Sequence, residues 1–253
     1  MEIKICGITN VRDARVAAAA GADALGFVFY DKSPRYVRPE TAREIAVNMS
    51  RQIARVGVFV DQHEGEVKEI ARFCLLDFIQ LHGNESPEYC AKFPTSRVIK
   101  AVSLRDPSDI TALGRYRVRA LLLDTYDASR FGGTGRTCNW DLARKTARQF
   151  PVILAGGLDE SNVLSAIRAV SPMGVDVGSG VEASPGIKDP EKVRRIISLV
   201  NDYPLLAESE LTTKLFSRLG NDREWGPQDE AMRRRRASSP LKEREYEKTN
   251  HTR

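Results

Sequence analysis

Eight short apolar runs, each closed by turn residues and followed by a stretch of helical period, constrain this chain more than any other feature. They fall at 3–6, 24–29, 55–60, 77–81, 98–101, 120–124, 152–155 and 174–178, about every 20 to 25 residues. Continuous apolar runs of this length fit strands buried on both faces, as in a parallel sheet. Helices fit at 10–20, 39–49, 64–74, 87–93, 141–149, 160–170 and 190–200, with a weaker helical turn at 106–115. Asn10 and Ser161 stand as helix caps, and Pro39, Pro87 and Pro190 suit first-turn positions. Eight strand–helix units with no antiparallel signature imply an α/β fold with an all-parallel sheet, either doubly wound or closed into a (βα)8 TIM barrel. The doubly wound form calls for a glycine-rich fingerprint after its first strand, and Gly7-Ile8-Thr9 is no GxGxxG. The barrel is favoured.

The pattern stops near residue 200, giving a single barrel domain at 1–200 and a charged, partly disordered extension at 201–253. A short helix over 205–219 that packs on the barrel is one option for part of it. The chain's formal net charge is +5, but the extension holds 11 Lys/Arg against 10 Asp/Glu, so the rest carries a surplus of only four. That is an ordinary surface with a mild pull on anions, and nucleic acid is not an expected partner. Arg233–Arg236 is read as a solvated run. No stretch of about 18 apolar residues exists, and Met1 leads directly into a strand, so neither a membrane span nor a secretory signal is expected. Cys6, Cys74, Cys90 and Cys138 form no CxxC pair. No metal site or disulfide framework is expected, and a reducing cytoplasm is the default compartment.

Barrel active sites gather at the carboxyl ends of the strands, so those ends are the residues to collect. Strand one ends in Cys6, on the same face as Lys4 and roughly 7 Å beyond it. A cation so placed favours thiolate, although the stretch alone also reads as a small buried hydrophobe. Strand two runs into a turn presenting Arg35, and strand four into His82. Strand six ends at Asp124 behind Leu121-Leu122-Leu123, where partial desolvation would keep a carboxyl proton available; a loop cap is the alternative. Strands seven and eight run into Gly156-Gly157 and Gly178-Ser179-Gly180. Glycines with backbone N–H groups at these two ends form the common phosphate site of this fold. A strand-end histidine such as His82 is more often a structural donor than a ligand contact. Asp176 either orders Lys4 by ion pairing or lines the pocket beneath a sugar, and the first is favoured.

In their order along the chain, Lys4-Ile-Cys-Gly-Ile-Thr9, Gly26-Phe-Val-Phe29 with Ser33-Pro-Arg-Tyr-Val37, Gln80-Leu-His-Gly83, Leu123-Asp-Thr125 with Gly132-Gly-Thr-Gly135, Leu154-Ala-Gly-Gly-Leu158 and Gly174-Val-Asp-Val177 resemble phosphoribosylanthranilate isomerase. The resemblance covers about residues 1–200. It implies an isomerase of tryptophan biosynthesis that performs an Amadori rearrangement of a phosphorylated small molecule without cofactor or metal, as a monomer or homodimer. It also implies roles: Asp124 as general acid, Cys6 as general base, Arg35 as the guanidinium for the anthranilate carboxylate, and Gly156, Gly157, Ser179 and Gly180 at the phosphate. Two positions depart from the family pattern, Gly178 where serine is usual and Cys138 where an aromatic is usual. The sugar isomerase of histidine biosynthesis is the competing enzyme, but it carries aspartate at the Cys6 position and binds two phosphates. A barrel recruited as a scaffold, with its tail as the functional part, is the competing reading from another class.

Overall fold

The structure, a computed structural model, describes residues 1–124, 140–203 and 215–216. Eight parallel strands close a barrel in sequential order: β1 (Glu2–Cys6), β2 (Ala24–Val28), β3 (Ala54–Phe59), β4 (Phe78–Leu81), β5 (Val98–Val102), β6 (Ala120–Asp124), β7 (Val152–Ala155) and β8 (Gly174–Val177). The ring shuts where β8 pairs with β1, Glu2 opposite Gly174 and Lys4 opposite Asp176. The intervening helices are α1 (Val11–Ala20), α2 (Pro39–Asn48), α3 (Glu64–Phe73), α4 (Pro87–Cys90), α5 (Pro107–Leu113), α6 (Trp140–Ala147), α7 (Val163–Val170) and α8 (Pro190–Asn201).

Local chemistry explains where these elements begin. The Asn10 side chain accepts from the Asp13 N–H at 2.9 Å and starts α1, which stops at Gly21 in the left-handed region (φ 97°). The weak segment at 106–115 is a true helix, α5, because Asp106 and Asp109 form a reciprocal capping box. Ser161 is not a cap. Its N–H and Oγ both donate to Asp159 Oδ1, at 2.8 and 2.5 Å, and this Asx turn delays α7 until Val163. The expected absence of antiparallel pairing is also overturned. After β8, β9 (Glu182–Ser184) and β10 (Ile187–Lys188) form a small antiparallel hairpin, turned at Gly186 with φ 81°.

Strand alternation sorts the barrel interior into two ends. At the amino-terminal end the inward side chains are apolar apart from Glu2, with Ala24, Ala54, Phe78, Ala120 and Ile153 in one buried cluster. Toward the carboxyl ends the same faces become polar, through Lys4 and Cys6, Gln80, Asp124 and Asp176. The segment 125–139, with Gly132–Gly135 and Cys138, lies outside the described residues, as does the run Arg233–Arg236. Of the helix expected at 205–219 only Leu215 and Phe216 are described, and they form a turn. The chain divides into compact units at Met1–Asn221 and Asp222–Arg253, the second wholly outside the described residues.

Candidate active site

Lys4 is fully buried, and its Nζ meets Asp176 Oδ2 at 2.7 Å across the β1–β8 closure. Burial opposes the Lys4 ammonium, but Asp176 and Cys6 together outweigh it and raise its pKa. Lys4 does pull Cys6 toward thiolate, as expected, but the pull is outweighed. Burial and the Asp176 charge push the thiol above its ordinary value, and the opposing pull of Lys4 and Lys188 does not offset them. The ammonium is held by a carboxylate, so the thiol sees a nearly neutral pair rather than a lone cation. Cys6 keeps intermediate exposure at the carboxyl end of β1. The residue opposite it on β2 is Gly26, where a Cβ would stand 2.8 Å from Cys6 Sγ. A side chain there would occupy the thiol's place.

Asp124 ends β6 on the same inward face as the core residue Leu122. His82 Nε2 lies 3.1 Å from Asp124 Oδ2, and Gln80 Nε2 lies 2.8 Å from His82 Nδ1. With the amide nitrogen toward Nδ1, that ring nitrogen accepts, and Nε2 carries the hydrogen aimed at Asp124. His82 thus contacts the candidate acid directly. Two acceptors in this polar region, Gln80 Oε1 and Asp176 Oδ1, are buried with no partner among the described residues.

Arg35 stands on the turn after β2, where the Ser33 hydroxyl accepts its N–H at 3.1 Å. Its stem packs on Gly7, whose φ of 76° and 2.7 Å Cβ-to-Arg35 Cδ approach leave no room for a side chain. The Nε and Nη2 edge of the guanidinium grips Glu182 at 2.8 and 2.7 Å. No bond to Nη1 is made among the described residues, so that part of the guanidinium is left uncommitted. Glu182 also accepts from Lys188 Nζ at 2.9 Å, and Lys188 donates to the Gly178 carbonyl at 3.0 Å. Burial works against the Glu182 carboxylate, yet Arg35 and Lys188 hold its pKa below the ordinary range. The β9–β10 hairpin thereby ties Arg35 to the turn after β8. Glu182 and Lys188 escaped the sequence reading. Their only signal was the Pro185-Gly186 turn between two short runs.

The glycine turns sit as expected. Gly156 and Gly157 have φ of 88° and 62°, and the Gly157 N–H makes no bond among the described residues. Ser179 opens a 3-10 turn, Ser179–Val181, whose first N–H groups lack partners within it. A Cβ at Gly180 would fall 2.0 Å from the Leu158 carbonyl oxygen, so this glycine packs the two turns together. At Gly178 a Cβ would meet nothing nearer than the Cys6 carbonyl oxygen at 4.0 Å, so nothing steric dictates glycine there.

A closed parallel barrel with a thiol, a carboxyl and a guanidinium gathered at one rim defines a (βα)8-barrel enzyme. Residues 3–199 match the family described as N-(5'phosphoribosyl)anthranilate (PRA) isomerase, and the chain belongs to that family. A protein of Syntrophus aciditrophicus (strain SB) named N-(5'-phosphoribosyl)anthranilate isomerase is 51% identical over 209 residues, spanning 83% of this chain and 91% of that protein. The crystal structure of phosphoribosyl anthranilate isomerase from Thermotoga maritima superposes with a TM-score of 0.73 at 43% identity, covering 79% of this chain and 98% of that one. A phosphoribosyl anthranilate isomerase in complex with reduced 1-(o-carboxyphenylamino)-1-deoxyribulose 5-phosphate gives 0.69 at 42% identity, covering 78% and 97%.

Proposed function

We propose that this enzyme converts N-(5'-phosphoribosyl)anthranilate to 1-(2-carboxyphenylamino)-1-deoxyribulose 5-phosphate, a step of tryptophan biosynthesis, in the cytoplasm. The observation that carries the reading is the pairing of rim groups: Asp124 hydrogen-bonded to His82, and Cys6 at the end of β1 on an inward face. Asp124 gives its proton to the ribose ring oxygen as the C1'–O bond breaks, and the nitrogen lone pair forms the iminium. Cys6 then takes the C2' proton. The released electron pair forms the enolamine and neutralises the iminium, and tautomerisation gives the ketone at C2'. A thiol with a raised pKa suits this order of events, because the iminium places positive charge near Sγ only after ring opening and favours thiolate at that moment.

Arg35 holds the anthranilate carboxylate through the guanidinium edge that Glu182 leaves open. The phosphate sits at Gly156, Gly157, Gly178, Ser179 and Gly180, where backbone N–H groups are the donors. His82 positions Asp124 and returns it to one orientation after each turnover. Asp176 holds Lys4 with one oxygen and offers the other to a sugar hydroxyl. The relative that binds the reduced ribulose phosphate supports this pocket, since that ligand carries both a carboxyphenyl and a phosphate end. The catalytic part of the chain is residues 1–200.

The test is loss of anthranilate-type fluorescence on adding freshly made substrate to the intact chain. Asp124→Asn should lower kcat by about 100- to 10,000-fold with little change in binding. Near-normal turnover in that variant would remove Asp124 from its role, and absence of turnover in the parent would sink the activity itself.

A further inference from the structure

Past Tyr203 the described residues are Leu215 and Phe216, and both belong to the barrel's core, at 4% and 5% exposure. They pack in the cluster with Ala24, Ala54, Phe78 and Ala120, each the first residue of its strand. First residues of parallel strands mark the amino-terminal mouth, the end opposite the catalytic rim. The seat is built, not incidental. The Glu2 carboxylate, on the first residue of β1, accepts the Phe216 N–H at 3.0 Å and also the Leu215 N–H. Arg119 Nε donates to the Leu215 carbonyl. The Phe216 ring meets Phe78 edge-on, with centroids 6.0 Å apart at 74°, and the Arg119 guanidinium lies 5.5 Å from the centroid of the same Phe78 ring. Gly174, the first residue of β8, leaves room for Leu215, since a Cβ there would approach Leu215 Cδ1 to 3.2 Å.

Two apolar side chains are thus buried together while their backbone polar groups are met by charged residues at the mouth. Burial of an unpaired backbone group is costly, so a socket that supplies both acceptor and donor marks a specific seat. The range matched by the family ends at residue 199. The socket therefore lies inside the family domain, and the residues that fill it lie outside.

We propose that Leu215 and Phe216 seal the amino-terminal mouth of their own barrel, and so close this face to a second copy of the chain. The seal is intramolecular, so it outcompetes pairing between molecules at ordinary concentrations. With the seat empty, the first-residue ring presents an apolar patch of the kind that drives two-fold self-association.

Native-state hydrogen exchange on the full chain tests the seat without any substitution. The Leu215 and Phe216 amides should exchange about 100-fold or more slower than unstructured amides. Exchange at the unstructured rate overturns the proposal. In the full-length Phe216→Ala variant the thermal midpoint should fall by roughly 5 °C or more, since a buried aromatic is lost. That variant should also shift toward dimer in light scattering, while turnover at 25 °C stays within about twofold because the rim lies at the other end. An unchanged midpoint overturns the seal, and a parent chain that is itself dimeric through this face overturns the closure. Should Phe216→Ala fail to fold, Leu215→Ala and the exchange rates decide.

Discussion

A single methyl group at position 26 should disable the site while leaving the barrel standing. A Cβ at Gly26 would lie 2.8 Å from Cys6 Sγ, 3.0 Å from Lys4 Cε and 3.1 Å from Cys6 Cα. Carbon contacts are comfortable at about 3.5–4.0 Å, so each of these atoms must retreat by roughly 0.5–1 Å. None has an easy retreat. Cys6 Cα is backbone at the last pair of the β1–β2 ladder, pinned by the Gly7 and Ile8 N–H bonds to the Gly26 carbonyl, and the Lys4 stem is fully buried with its ammonium fixed on Asp176. The thiol has one torsion, so Sγ gives way by leaving its well for another staggered position. Overpacking of this kind costs about 1–3 kcal/mol, and at about 2–4 °C per kcal/mol for a domain of this size the thermal midpoint should fall by roughly 2–12 °C. A reacting group displaced by about 1 Å loses on the order of 100-fold in rate. The Gly26→Ala variant should therefore remain folded at 25 °C by circular dichroism with kcat down about 100-fold and KM little changed, because the anthranilate and phosphate contacts lie elsewhere. A folded variant with kcat within about threefold of the parent would show that Sγ does not work from the position the structure gives it.

Three further outcomes are expected. Because burial raises the Cys6 pKa above the ordinary thiol value of 9.0, the rate of Cys6 alkylation by iodoacetamide, followed by peptide mass spectrometry, should keep climbing as pH rises through 9; a plateau reached near pH 7 would contradict this. Glu182→Gln removes the charge that fixes Arg35, and KM should rise roughly 5- to 20-fold with kcat nearly kept; steady-state kinetics showing the reverse split would place Glu182 in the chemistry instead. Asp176→Asn leaves the buried Lys4 ammonium without its counter-charge and should cost about 3–5 kcal/mol in denaturant unfolding; a loss below about 1 kcal/mol would mean that the pair is solvated.

What the sequence made legible was whatever repeats or lies within one strand–turn unit. The eight apolar runs, the cap at Asn10, the first-turn proline at Pro190, and the rim position of Cys6 and Asp124 follow from local pattern, because each strand must bury both faces and expose its carboxyl end to a loop. Pairing across the barrel is another matter. Lys4 meets Asp176 over 172 residues, and that pair is expected because an eight-stranded barrel must close β8 on β1; Arg35 meets Glu182 over 147, and nothing local to either of these two announces the other. Distance in sequence hides relative weight: the pull of Lys4 on Cys6 is legible in β1, whereas the burial and the Asp176 charge that outweigh it take effect only once β8 closes on β1. It also explains why Arg35 reads as a lone anion hook, although half of its fork is committed to the hairpin after β8. The same argument covers Leu215 and Phe216. Two apolar residues in a charged extension carry no period, and their meaning comes from Glu2, more than 200 positions away. In a closed barrel the chemistry is thus set by the seam between the last strand and the first, where residues farthest apart in sequence stand side by side. Substitutions in β8 and the hairpin after it should therefore alter the acid–base behaviour of β1 more than substitutions in its sequence neighbour α1.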